Sequence, residues 1–155
     1  MGGLTLPEHG AVYLDANSII YSVERIEPYR TVLQPLWEAA KAGKITIATS
    51  DLTLLEVLVV PLRTGNKVLE AGFRALLQYS SDVQLIAITH AIFEQAASLR
   101  ARTTIKTPDA IHAATALLAG CALFVTDDSA FRRIPGLPVA LLSEALSSEE
   151  GSSLS

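Results

Sequence analysis

Four acidic side chains occupy positions where a carboxylate is either costly to bury or placed to bind a cation. Asp15 and Asp128 follow apolar runs typical of buried strands, and Asp109 lies in the first turn of a predicted helix. Glu56 is embedded in the apolar run 52–60, where a lone carboxylate needs a partner, a proton or a metal. Because Mg²⁺ and Mn²⁺ prefer oxygen ligands, the sequence predicts a metal site formed by these four acids.

Each acid also has a purely structural interpretation, which the sequence leaves open. Asp15 is suited to capping the helix that follows it, and Asp109 would complement a helix dipole. Asp127 and Asp128 could be turn residues after a strand, and Glu56 could face solvent on a sparsely polar helix. One shared cause, a carboxylate pocket for a divalent cation, explains all of these positions more economically than separate coincidences.

The cysteine and histidines show no zinc pattern. Cys121 is the single cysteine, so no internal disulfide can form, and we expect a small buried thiol in a reducing compartment. His9, His90 and His112 lack the spacing of zinc ligands. His112 lies one turn after Asp109 on the same helix face. A packed, hydrogen-bonded histidine is favoured there over one that positions water or phosphate.

Other polar side chains near the acids are candidates for supporting roles. Groups that could orient the carboxylates, one of them a further acid that could be an extra ligand, are Asn17, Ser50, Thr126 and Asp127. Basic residues that could contact phosphates, each with solvated surface charge as the alternative, are Arg25, Arg100, Arg102, Lys106, Arg132 and Arg133. The segment 100–106 leads directly into the helix of Asp109 and is therefore the best placed.

The apolar pattern predicts the elements that must position these residues. Short β-branched runs alternate with longer amphipathic runs, which is typical of an α/β domain with a mostly parallel sheet. Predicted strands cover residues 11–14, 45–49, 83–88, 123–126 and 139–142. Predicted helices cover a segment ending at Val23 and capped by Asn17 or Ser18, then 30–42, 52–62, 67–78, 91–102 and 107–118. Ligands bind beyond the carboxyl ends of parallel strands, where Asp15 and Asp128 fall.

Length and composition fit one domain. The chain has 155 residues, of which 50% are apolar, enough to bury a core. A net charge of −4 argues against a broad basic surface for nucleic acid, although cations at an acid site would reverse the local sign. No export signal or membrane-spanning run is recognised, so we expect a cytoplasmic protein. Residues 147–155 are rich in Ser and Glu, and we expect a disordered polar tail.

Four segments resemble the motifs of PIN-domain nucleases, and they follow the order of that family. Residues 13–21 (YLDANSIIY) resemble the strand that delivers the first metal-binding Asp. Residues 49–56 (TSDLTLLE) resemble the second motif, a Ser followed by a helical Glu. Residues 107–117 (TPDAIHAATAL) and 124–131 (FVTDDSAF) resemble the third and fourth motifs. In the fourth, the spacing from the Thr and to the aromatic residue selects the second acid, Asp128.

This resemblance covers residues 11–142 and implies a PIN-like three-layer α/β/α fold, with a single nuclease domain over residues 1–146. It implies a Mg²⁺- or Mn²⁺-dependent ribonuclease that leaves 5′-phosphate and 3′-hydroxyl ends, with catalysis and metal binding by Asp15, Glu56, Asp109 and Asp128. The size of the chain is most similar to the VapC-type toxins of toxin–antitoxin pairs. That similarity implies an RNA substrate, an antitoxin that covers the acidic pocket, and a homodimer.

Two other functions remain open from the sequence. The first is a non-catalytic PIN-like module that binds RNA or protein, although the presence of all four acids speaks against lost activity. The second is a phosphatase-like α/β domain. It is disfavoured because the residues after Asp15 lack the second Asp and the Gly-Thr of haloacid-dehalogenase-like enzymes. No Gly-rich phosphate loop is recognised either.

Overall fold

The computed structural model describes residues 3–153, and it contains all five strands that the sequence predicts. These are β1 (Ala11–Leu14), β2 (Thr46–Ser50), β3 (Val83–Ile86), β4 (Leu123–Thr126) and β5 (Val139–Leu141). They form one sheet in the order β3–β2–β1–β4–β5, and every neighbouring pair is parallel. The prediction of a mostly parallel α/β sheet is therefore confirmed.

The strand order creates a crevice between β1 and β4. The chain first builds the sheet outward from β1 to β2 and β3, and then returns to add β4 and β5 on the other side. Where the order reverses in this way, the connections leave in opposite directions and open a crevice beyond the carboxyl ends of the strands. Asp15 directly follows β1 and Asp127 directly follows β4, so both lie at this reversal.

Helices cover both faces of the sheet. They are α1 (Ala16–Val23), α2 (Tyr29–Lys41), α3 (Asp51–Thr64), α4 (Lys67–Leu77), α5 (His90–Arg102), α6 (Thr107–Leu118) and α7 (Leu142–Ser153). The core on one face is formed with α1 to α4 and α7, and the core on the other face with α5 and α6. The expected three-layer arrangement is thus confirmed. None of the helices described is both long and apolar enough to span a membrane.

Side-chain alternation along β1 explains why both faces need a helical layer. Val12 and Leu14 pack into the core that contains α1 to α4, whereas Tyr13 packs into the core that contains α6. Tyr13 is fully buried and stacks on Phe124 of β4 with a distance of 5.0 Å between ring centroids. Parallel strands that are apolar on both sides must be covered on both sides. The tyrosine is consequently held on the α6 face of the sheet.

The start of α1 selects one of the caps that the sequence left open. Asp15 caps this helix by accepting a hydrogen bond from the backbone N–H of Ser18, whereas Asn17 and Ser18, the alternative caps, lie within the helix. The helix begins at Ala16, directly after β1 and Asp15. A residue that joins a strand to a helix without an intervening loop has extended backbone geometry, which is what an N-cap requires. The first acid of the cluster is therefore also a helix cap.

The carboxyl-terminal segment differs from the prediction. Helix α7 begins at Leu142 and continues to Ser153, into the segment for which the sequence predicted a disordered tail. Leu142 and Ala145 are buried in the core and anchor the first turn, and each further residue then adds a hydrogen bond at little nucleation cost. The last two residues of the predicted tail lie outside the described part of the chain.

Candidate active site

Asp15 is the most firmly held acid of the site. Its side chain is buried, and Oδ1 accepts hydrogen bonds from the backbone N–H and the hydroxyl of Ser18 at 3.0 and 2.8 Å. Oδ2 accepts a hydrogen bond from the Thr126 hydroxyl at 2.7 Å. Burial raises the pKa of Asp15 above its usual value, and these hydrogen bonds oppose part of that rise. Donors from α1 and β4 thus fix the orientation of this carboxylate.

Thr126 connects the acid after β1 to the acids after β4. Its hydroxyl donates to Asp15 and accepts a hydrogen bond from the backbone N–H of Asp128 at 3.1 Å. Asp128 in turn accepts the backbone N–H of Ala130 at 2.9 Å, which caps the 3-10 segment Ser129–Arg133. Thr126 is fully buried, and these contacts place its hydroxyl between Asp15 and the backbone of Asp128.

Asp109 shares an electrostatic environment with the other three acids. It is half-buried in the first turn of α6. Burial raises the pKa of Asp109, and the negative charge of Asp128 raises it further. Smaller effects of Glu56 and Asp15 act in the same direction, whereas His112 opposes them. The contacts agree with this proximity: Thr126 joins Asp15 to the backbone of Asp128, and Asp109 and Asp128 line one cavity. Glu56 contacts His112, one helical turn after Asp109, so we refer to the four predicted acids together as the acid cluster.

Glu56 projects from α3 and is held there by a histidine. Its Oε1 lies 2.5 Å from Nε2 of His112, and Nδ1 of His112 lies 2.6 Å from the hydroxyl of Tyr13. The Glu56 side chain is 32% exposed, whereas that of His112 is 3% exposed. The packed, hydrogen-bonded histidine favoured by the sequence is therefore observed. Tyr13 was not singled out, because an aromatic residue within a strand reads as an ordinary core residue.

A small cavity of about 160 Å³ lies beside two of the acids. Asp109 and Asp128 line it together with Lys106, Arg133 and the loop 103–105. Cationic side chains next to carboxylates can neutralise a phosphate while the acids bind a metal. Of the six basic residues predicted to contact RNA, these two line the cavity.

The other four predicted RNA contacts are engaged elsewhere. Arg100 and Arg102 donate to backbone carbonyl groups at 3.2 and 3.4 Å. Arg132 forms an ion pair with a carboxylate of α7. Arg25 lines a separate groove of about 610 Å³ around a tryptophan of α2, and none of the four acids lines that groove. These positions favour the surface-charge interpretation for all four residues.

The remaining residues predicted to orient the acids differ in what their side chains contact. Asp127 accepts a hydrogen bond from the hydroxyl of Tyr21 at 3.1 Å and is thereby directed to α1. Ser50 is fully buried and caps α3 by accepting the backbone N–H of Leu52. Asn17 is exposed, and its side chain forms no hydrogen bond with another described residue. Of the four orienting candidates, Thr126 alone is hydrogen-bonded to one of the clustered carboxylates within this part of the chain.

The donor set fits a hard divalent cation in its chemistry. Each of the four acids offers carboxylate oxygens, which are the ligands that Mg²⁺ and Mn²⁺ select. As the side chains stand, no three His, Cys, Asp or Glu residues within the described range are close enough together to hold an ion. Asp128 is exposed and Glu56 is partly exposed, so both carboxylates are accessible to an ion from solvent.

Comparisons with known proteins agree with this arrangement. The family model of the PIN domain matches residues 12–137. A structure of VapBC2 from Rickettsia felis, bound to a DNA fragment from its promoter, has a TM-score of 0.67 and 22% identity, over 84% of this chain and 98% of that chain. A toxin–antitoxin complex from Klebsiella pneumoniae has a TM-score of 0.63 and 26% identity, over 84% and 97%.

A third similar structure is VapC20 from Mycobacterium tuberculosis, a toxin that cleaves the sarcin–ricin loop. Its TM-score is 0.64 and its identity is 19%, over 79% of this chain and 93% of that chain. No curated protein matches the chain significantly. The range of the family model contains all four acids of the cluster, the strands β2 to β4 and all but the first residue of β1. The chain therefore belongs to the PIN domain family, and its fold is that of the VapC toxins.

Proposed function

We propose that this chain is a metal-dependent endoribonuclease and the toxin of a toxin–antitoxin pair. The observation that carries the proposal is the set of contacts that brings together carboxylates from separate elements. Thr126 joins Asp15 to Asp128, Asp109 and Asp128 line one cavity, and Glu56 contacts His112 on the helix of Asp109. Membership of the PIN domain family supports the nuclease assignment. The proposed RNA substrate would place the activity in the cytoplasm.

In this proposal, Asp15, Asp109 and Asp128 hold one or two Mg²⁺ or Mn²⁺ ions, and Glu56 binds them directly or through water. When bound, such a cation would make a water molecule more acidic and neutralise charge on the phosphodiester. The products would carry a 5′-phosphate and a 3′-hydroxyl, as the family resemblance implies.

The chain's own residues would divide the remaining tasks. Glu56 would accept a hydrogen bond from the attacking water and so aim it at the phosphorus atom. Lys106 and Arg133 would bind phosphate oxygens of the substrate, since both line the cavity beside Asp109. Thr126 would keep the Asp15 carboxylate in place through its hydrogen bond to Oδ2.

Cleavage of a mixed RNA pool by the purified chain tests the ribonuclease proposal. We expect cleavage with Mg²⁺ or Mn²⁺ that EDTA stops and that renewed metal restores. Mass analysis of the fragments should show 5′-phosphate ends. If the chain binds RNA with metal present but cleaves no pool member, the non-catalytic binding module replaces the nuclease.

Removal of the cavity cations should weaken the salt dependence of RNA binding. Each phosphate contact contributes about 0.7 to the slope of log affinity against log salt for single strands, so Lys106→Ala and Arg133→Ala should each lower the slope by roughly that amount. Arg132→Ala is the matched control, because Arg132 neighbours Arg133 but pairs with Glu144. Equal slopes for Arg133→Ala and Arg132→Ala would remove Arg133 from the RNA site.

The similarity to toxin–antitoxin complexes supports an antitoxin as the protein partner of this chain. The antitoxin would cover the acid cluster with a basic or an apolar segment. A basic segment would pair with the carboxylates, and an apolar segment would pack on the neighbouring apolar helices. Co-expression with the product of the adjacent gene should suppress RNA cleavage. Undiminished cleavage in a complex of the two proteins would refute this inhibitory role.

A homodimer is supported by an apolar row on α3. Leu55, Val59 and Leu62 recur at helical spacing and are 61, 39 and 56% exposed, which is unusual for a face that remains in water. Leu55→Asp should therefore convert a dimer into a monomer in sedimentation experiments. Val68→Asp is the matched control, because Val68 lies on α4 and is 86% exposed. A wild-type chain that is monomeric at micromolar concentration would refute the dimer.

A further inference from the structure

Three side chains form a continuous hydrogen-bonded path from the sheet to the acid cluster. The Tyr13 hydroxyl contacts Nδ1 of His112 at 2.6 Å, and Nε2 of His112 contacts Oε1 of Glu56 at 2.5 Å. Tyr13 is 0% and His112 3% exposed, whereas Glu56 reaches the surface of the cluster. The path therefore begins in the rigid core and ends at a reactive group.

The direction of the hydrogen bond to Glu56 follows from the groups at its two ends. A carboxylate only accepts hydrogen bonds, so Nε2 of His112 must carry the proton that faces Glu56. At the other end, burial raises the pKa of Tyr13 far above its usual value, although Thr49 and the backbone of Ser50 oppose part of the rise. The tyrosine therefore keeps its proton, and its neutral hydroxyl contacts Nδ1.

Both partners restrict how the imidazole can move. His112 packs edge-on to Tyr13, with 5.8 Å between ring centroids and an interplanar angle of 70°. The ring of Tyr13 in turn stacks on the ring of Phe124. An imidazole that is held at both nitrogens cannot turn without breaking a buried hydrogen bond, which costs free energy. The ring can therefore hold the glutamate in one direction, although Glu56 is the most exposed of the three side chains.

We propose that Tyr13 and His112 are positioning residues that orient the Glu56 carboxylate for the reaction and affect the reaction only through it. The inference rests on the ribonuclease function proposed above, and it explains why a buried histidine follows Asp109 by one helical turn. In this arrangement Asp15 is held by hydrogen bonds from α1 and β4, whereas Glu56 of α3 is held by a path that runs from Tyr13 through His112.

A double-mutant cycle tests whether the path acts through Glu56. Loss of a group that orients an active-site ligand costs about 10–100-fold, so Tyr13→Phe should lower kcat by about tenfold with KM unchanged. In a Glu56→Gln background the same change should cause no further loss. An equal loss of kcat in both backgrounds would overturn the proposal, because it would show that Tyr13 acts independently of Glu56.

Two further variants separate positioning from general support of the fold. Tyr21→Phe is the matched control, since it removes a tyrosine hydroxyl that contacts Asp127 and not His112. Its effect on kcat should be the same in the wild-type and the Glu56→Gln backgrounds. His112→Gln keeps an N–H that can reach Glu56, whereas His112→Leu does not. We expect His112→Gln to retain clearly more kcat than His112→Leu, and equal kcat values would count against positioning.

The proton on Nε2 of His112 provides a readout that does not depend on activity. In the ¹⁵N spectrum of the full chain, we expect Nε2 to be protonated, and Tyr13→Phe should alter the Nδ1 signal. An unprotonated Nε2 in the wild-type chain would overturn the proposed path, because it could not donate to the Glu56 carboxylate. If the wild-type chain cleaves no RNA but Nε2 is protonated, the ribonuclease function fails while the hydrogen-bonded path stands.

Discussion

Asp15→Asn is expected to reduce RNA cleavage by about a thousandfold or more while leaving the chain folded. The amide keeps one oxygen, which can still accept the backbone N–H of Ser18 and cap α1. It replaces the oxygen that faces Thr126 by an N–H donor and removes the negative charge. A neutral amide is a poor ligand for Mg²⁺ compared with a carboxylate, so binding of the proposed cation should fail while packing persists.

The stability of this variant supplies an independent check. The pKa of Asp15 is raised by burial, so the folded state holds this proton more tightly than the unfolded state does. Above the raised pKa, the ionised carboxylate therefore lowers the free energy of unfolding. This loss of stability disappears as pH falls below the usual Asp pKa, because the carboxyl group is then protonated in both states. Without metal, Asp15→Asn should be at least as stable as the wild type at neutral pH, with the difference narrowing in acid.

Ser18→Ala is the matched control for Asp15→Asn. It removes the hydroxyl that donates to Asp15 at 2.8 Å but keeps the carboxylate and the backbone N–H. We expect a loss of cleavage of only about tenfold for this variant. Steady-state rates and thermal melts of both variants make the comparison. A fully active Asp15→Asn enzyme would exclude Asp15 from the active site.

Asp109→Asn is expected to abolish cleavage and, with it, the stabilisation of the chain by Mg²⁺. A cation that binds the folded state alone raises the free energy of unfolding by about 2.7 kcal/mol at a hundred times its dissociation constant. The wild-type melting temperature should therefore rise with Mg²⁺ and fall with EDTA. Asp109→Asn should melt at the same temperature in Mg²⁺ and in EDTA, because one of the three proposed principal ligands is lost.

The same variant should be more stable than the wild type when metal is withheld at neutral pH. Burial and the charge of Asp128 raise the pKa of Asp109, so ionisation of Asp109 lowers stability above that raised pKa. This penalty is absent below the usual Asp pKa, and the advantage of the variant should vanish there. Thermal melts across the acidic range with EDTA measure both the sign and the pH window.

Glu144→Gln is the matched control with the opposite sign. The Arg132 guanidinium lowers the pKa of Glu144 on the surface, so this carboxylate adds stability above its usual pKa and loses it as pH falls through the lowered value. Glu144→Gln should leave the response to Mg²⁺ intact. If Asp109→Asn also keeps the full Mg²⁺ response, Asp109 is not a ligand.

The sequence by itself determined the strands and the acids that follow them. A parallel strand covered on both faces must be apolar throughout, so the first charged residue after a run such as Val12 to Leu14 marks its carboxyl end. That local rule places Asp15 and the pair Asp127 and Asp128 at one edge of the sheet without any knowledge of strand order, and the spacing of the fourth motif then selects Asp128. Glu56 stands out for the same reason, since a carboxylate within an apolar run requires a partner.

Only the tertiary structure decided which partners those acids have. Glu56 of α3 and His112 of α6 contact each other through a hydrogen bond. Their link to Tyr13 depends on which face of β1 the tyrosine ring occupies. Apolar periodicity reports which face of an element is buried, but not which other element covers it.

The basic residues illustrate the same division. All six were visible as charges in the sequence, yet Lys106 and Arg133 line the acid cavity whereas Arg132, the neighbour of Arg133, pairs with α7. Successive residues of a tight helical segment point in different directions, so the choice between neighbours depends on how that segment packs. Residue type therefore specifies the chemistry available to this chain, and packing decides which side chains can take part in it.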